Sequence, residues 1–66
     1  MSGDTIMKWF EFRHLPSHLK AVSQPFHDFA EYLCETIEPG PERTIALRKL
    51  LEAKDAAVRA VVHPRG

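Results

Sequence analysis

From Phe26 the apolar residues fall at Phe26, Phe29, Ala30, Leu33, Cys34 and Ile37. Steps of three and four draw one stripe along an α-helix. His27, Asp28, Glu31, Glu35 and much of Tyr32 then belong to the opposite, polar face. A second stripe runs through Leu47, Leu50, Leu51, Val58 and Val61, and Ala46, Ala53, Ala57 and Ala60 draw another on the same segment. Glu38-Pro39-Gly40-Pro41 separates the two patterns. Its prolines block helix continuation, and Gly40 tolerates a positive φ. So short a connection returns the chain antiparallel. The expected fold is all-α: a short N-terminal segment or helix, then an antiparallel helical hairpin.

The boundaries follow from the same signals. Residues 1–8 are small and polar enough to read as a loose tail. The first helical arm is expected over 16–37, with Pro16 at its first position. A break is expected near 23–25, where Ser23 suits an N-cap and Pro25 a first turn. A kinked continuation and a full stop both fit that stretch. The second helix is expected over 41–62, ended by His63-Pro64.

Size sharpens this picture. A chain of 66 residues is one domain and buries a small share of its surface on folding. Cys34 is the single cysteine, so no disulfide within the chain supports the fold, and no Cys/His cluster has zinc-site spacing. The alanine stripe is surplus to one packed neighbour, and small residues let another helix approach closely. A homo-oligomer is therefore expected. No apolar run approaches the ~18 residues of a membrane span, and Met1-Ser2-Gly3-Asp4 does not open a secretory signal. The expected location is cytoplasmic, with no membrane partner.

Nine basic and nine acidic residues balance. Polynucleotide binders neutralise many phosphates and carry a net basic face, so DNA is not an expected partner. A ligand with two or three phosphates needs only a few cations. Catalysis has little to stand on. Cys34 lies in an apolar stripe, where cysteine acts as a small hydrophobe. His14 and His18 are four apart, but Pro16 between them marks a helix start, so a metal site is not expected there. No glycine-rich phosphate loop and no cofactor motif is present. The expectation is no enzyme and no cofactor.

Two features invite more than a packing role. Lys54 falls inside the apolar stripe. Its stem can pack while the ammonium reaches water, or the charge can face an acidic group at a subunit seam. The stretch Lys8-Trp9-Phe10-Glu11-Phe12-Arg13-His14 holds three of the six aromatic residues. Trp9 and Phe10 read either as a plug for the open end of the hairpin or as a docking surface for a partner protein. Phe12, Arg13 and His14 fit a base and a phosphate, because aromatic and guanidinium planes stack on bases. His27, near the start of the Phe26 stripe, supplies a second flat group.

Phe12-Arg13-His14-Leu15, the helix beginning Phe26-His27, and Ile45–Lys54 with Ala57–Val61 together resemble a known family. These are small phage helical-hairpin proteins that act as cyclic-nucleotide sponges against CBASS immunity, with a hairpin shared by Thoeris anti-defence proteins. The resemblance covers roughly Phe12 to Val62. It implies a homohexamer, a trimer of dimers in the infected bacterial cytoplasm, that holds cyclic dinucleotides between protomers without cleaving them. It places Phe12 and His27 at the base-sandwiching positions. It also makes Arg48, Lys49 and Arg59 candidates for a separate cyclic trinucleotide site. Two positions depart from the family's usual tyrosine and lysine: Phe12 lacks a hydroxyl, and His27 replaces an ammonium with an imidazole. The alternative is a structural or protein-binding helical module with no nucleotide ligand.

Overall fold

A computed structural model describes residues 5–64. Thr5–Phe10 form a 3-10 helix, α1 spans Ser17–Thr36 and α2 spans Pro41–Val62. The two α-helices pack as a hairpin, and the 3-10 segment lies against both. Among the described residues there is no strand. The loose tail expected over 1–8 is replaced, from residue 5 onward, by this ordered turn; residues 1–4 lie outside the described ones. The reason is hydrophobic. Phe10 is completely buried, and Ile6 and Met7 pack beside it, so the turn closes the hairpin as a lid would.

The core is small. Phe10, Ala30 and Leu47 have no exposed surface, one from each element. Phe26, Leu33, Cys34, Leu50 and Leu51 are partly buried around them. The rest of both apolar stripes has no second layer to cover it. Phe29, Ile37 and Val61 lie on the surface, as do Tyr32 and Ile45. On α2, Ala46 and Ala57 are half-buried while Ala53 and Ala60 are exposed.

Helix α1 starts at Ser17, one residue after the expected Pro16. Pro16 instead caps it, and its carbonyl accepts the N–H groups of Leu19 and Lys20, both at 2.9 Å. The expected break near 23–25 does not occur, and α1 runs through Pro25. A proline deep in a helix leaves the carbonyl four residues earlier, here that of Ala21, without its helical donor. Burial on both sides of Pro25 offsets that loss: Ser23 precedes it, and His27 and Ala30 follow it. Ser23 is therefore no N-cap. It is a mid-helix residue without exposure, and its hydroxyl has no hydrogen-bond partner.

The hairpin turn is held by a residue that periodicity does not flag. Arg43, in the first turn of α2, is 5% exposed. Its Nη1 donates to the Ile37 carbonyl at 2.8 Å and the Cys34 carbonyl at 3.2 Å. Helix C-termini leave carbonyls unpaired, and the guanidinium both bonds them and complements the negative end of the α1 dipole. Gly40 tolerates a positive φ but does not use that freedom: its φ is 174°, an extended conformation open to any residue. A Cβ there would meet nothing within 4 Å. Its carbonyl accepts the Thr44 N–H at 3.1 Å and the Thr44 hydroxyl at 3.2 Å.

On α2, Glu52 sits 3.8 Å from Lys49 and Asp55 lies 3.5 Å from Lys54. The Lys54 side chain is only 13% exposed. Its stem packs, and its ammonium meets an acidic neighbour.

Two substitutions test this account. Arg43→Met should lower unfolding free energy by about 2–3 kcal/mol, the scale of losing charge-assisted hydrogen bonds to buried acceptors, read by urea denaturation. Ser23→Ala should leave stability unchanged or raise it by up to ~1 kcal/mol, because it removes a buried hydroxyl that has no partner. Helix propensity favours the same direction.

Candidate functional site

The aromatic-basic stretch divides at Phe10. Phe10 is the plug, fully buried, whereas Trp9 is 59% exposed with the Lys8 ammonium 5.3 Å from its ring centroid. Beyond Phe10 the chain turns, with Glu11 N–H donating to the Lys8 carbonyl at 3.3 Å and Leu15 N–H to the Phe12 carbonyl at 3.1 Å. This return carries Phe12 onto α1. Its ring meets His27 edge to face, with centroids 5.1 Å apart and planes at 61°, a favoured arrangement for two aromatic quadrupoles. The Arg13 guanidinium stands 5.4 Å from the Phe12 centroid. It is largely exposed and lies 3.6 Å from the Glu11 carboxylate.

Helical spacing assigns His27 to a polar face, yet it is one of the few buried polar residues of the chain. The cover comes from outside its helix: Phe12, fifteen positions earlier, lies against the imidazole. Nδ1 is 3.4 Å from Asp28 Oδ1, and Nε2 is 3.9 Å from Glu31 Oε2, one turn on. A cavity of about 310 Å³ opens beside the ring between the 3-10 segment and α1. Met7, Lys8 and Glu11 line it on one side, and His27, Glu31, Cys34 and Glu35 on the other. Three carboxylates against one ammonium make it a place for hydrogen-bond donors or cations, not for phosphate.

Phe12, Arg13 and His27 are therefore brought together, within one chain. Sequence spacing alone did not anticipate that Phe12 and His27 would touch each other. His14 is exposed at the start of the return. Arg48, Lys49 and Arg59 are exposed on α2. Among the described residues, none of these four makes a ring or ion contact with Phe12, Arg13 or His27. The carboxylates around the histidine were missed, although the spacing His27, Glu31, Glu35 is a repeat of four and was legible as one helix edge. A smaller apolar hollow of about 220 Å³, lined by Pro25, Phe26, Phe29 and Leu50, lies elsewhere on the hairpin. Phe29 stacks on Tyr32 beside it, with centroids 5.9 Å apart.

The split at Phe10 is measurable. Trp9 is the single tryptophan, so its fluorescence reports that position alone. Acrylamide should quench it nearly as well as a free tryptophan derivative, and Phe10→Ala should cost about 3–5 kcal/mol of stability, the scale of a large aromatic lost from a core. No family model, curated protein or solved structure matches this chain.

Proposed function

We propose that this chain is a non-catalytic binder that sequesters a cyclic di- or trinucleotide, acts as a homo-oligomer and so silences CBASS-type signalling. The observation that supports this reading best is the convergence of Phe12, Arg13 and His27 beside the middle of α1. Phe12 offers an aromatic platform braced from beneath by a buried imidazole. The Arg13 guanidinium is held only by an exposed contact to Glu11, which costs little to release, so it is free to turn to a phosphate. The carboxylate-lined cavity next to it suits the amino edge of a base, since carboxylates accept from exocyclic N–H groups. Phosphates would lie on the arginine side and base edges on the carboxylate side.

Self-association has its own support. Phe29, Tyr32, Ile45 and Val61 are exposed, and exposed large apolar side chains are candidates for cover by a second copy. In an oligomer, Arg48, Lys49 and Arg59 would be the cations available for a second, trinucleotide site. The exposure of Trp9 favours a second reading, a protein-binding module that docks through that indole.

Titration calorimetry against a panel of cyclic di- and trinucleotides separates the two. Saturable heat with at least one member is expected. Phe12→Ala should weaken binding by about 5- to 150-fold, the equivalent of ~1–3 kcal/mol of base stacking, with oligomer mass unchanged. Absence of heat with every member, from a folded protein, would overturn the nucleotide reading.

A further inference from the structure

We infer that His27 and Glu31 form the core of a divalent transition-metal site, of zinc type, in the cavity between the 3-10 segment and α1. The inference is independent of the nucleotide reading. It starts from the histidine. The His27 side chain is 11% exposed, and its two ring nitrogens meet different carboxylates. A carboxylate only accepts, and Asp28 at 3.4 Å is the nearer of the two, which favours the tautomer with its proton on Nδ1. In that tautomer Nε2 presents a bare lone pair. It makes no hydrogen bond, and what it faces across 3.9 Å is the Glu31 carboxylate, another acceptor. Two acceptors facing each other repel unless a hydrogen-bond donor or a cation stands between them.

The spacing suits a metal ion. Bonds of about 2.1 Å at a tetrahedral angle place nitrogen and oxygen about 3.4 Å apart. Glu31 is more than half exposed, so a small side-chain shift closes the difference. The donors of His27, Asp28 and Glu31 all lie within 4.8 Å of one another. Asp28 on Nδ1 has the place of the carboxylate that orients a metal-binding imidazole and raises its basicity. Glu11, Cys34 and Glu35 line the same cavity and offer oxygen or sulfur donors for the remaining positions. Lys8 lines it too and opposes a cation, but its ammonium is turned over the Trp9 ring. An imidazole nitrogen beside carboxylates, with a thiol at hand, selects zinc-like ions over magnesium or calcium.

The test is calorimetry of the full chain with zinc chloride, repeated with magnesium and calcium chloride. Zinc alone should bind, saturating at one ion per chain, and should raise the melting temperature. Glu31→Gln, at an exposed position that does not threaten folding, should weaken zinc binding by about tenfold or more, and Asp28→Asn by about 10- to 100-fold. His18→Gln and His63→Gln, which remove exposed histidines elsewhere, should leave it unchanged. Cobalt substitution should give a tetrahedral visible spectrum that Glu31→Gln abolishes. Zinc binding that is absent, that survives Glu31→Gln intact, or that falls with His18→Gln or His63→Gln would overturn the site.

Discussion

The hairpin depends on a guanidinium buried at its bend. Arg43 reaches from the first turn of α2 to the carbonyls of Cys34 and Ile37 at the end of α1. Two helices whose only fully buried apolar residues are Ala30 and Leu47 have little apolar contact to set their register. A directional, charge-assisted bond supplies that register, because it is made only when α2 starts at one distance and rotation from the α1 terminus. It also relieves Gly40 of any special conformational duty. The turn is extended there and is held from outside by a side chain.

That clamp lies next to the site, since Cys34 both accepts from Arg43 and lines the cavity. With α2 fixed, the groove along the hairpin admits Phe10, and burial of Phe10 anchors the 3-10 segment against both helices. The return from Phe10 then lays Phe12 on His27 and brings Met7, Lys8 and Glu11 opposite Glu31, Cys34 and Glu35. The cavity is thus a consequence of packing: an aromatic plug on one side of a turn produces an aromatic cover and an acidic wall on the other. Its chemistry is divided, with a guanidinium and a phenyl plane outside, and an imidazole with carboxylates inside. A phosphate would meet the outer part, whereas a base edge and a transition-metal ion would compete for the same carboxylates.

The chain also leaves much apolar surface uncovered. Phe29 on α1 and Val61 on α2 follow the helical stripes of the core, Tyr32 and Ile45 lie outside them, and one hairpin leaves all four exposed. A 66-residue chain in which three apolar side chains are fully buried among the described residues is short of core. This is the physical ground for treating self-association as part of the proposed function.

Local periodicity determined the helices. The stripes at Phe26–Ile37 and Leu47–Val61 and the prolines at 39 and 41 are statements about neighbours three or four positions apart, so the all-α hairpin was legible in one dimension. What was not legible involves partners far along the chain. Pro25 and Ser23 read locally as a helix start, but burial of the residues around them carries α1 straight through. Residues 5–8 read as tail, but contacts of Ile6 and Met7 with a core made elsewhere order them. Arg43 looks like any surface arginine until the α1 terminus arrives beside it. His27 sits on a face that its own helix makes polar, and Phe12, fifteen residues away, makes it buried. The chemistry of that histidine was decided by tertiary contact, because burial is set by whatever packs on a helix face and not by the helix itself.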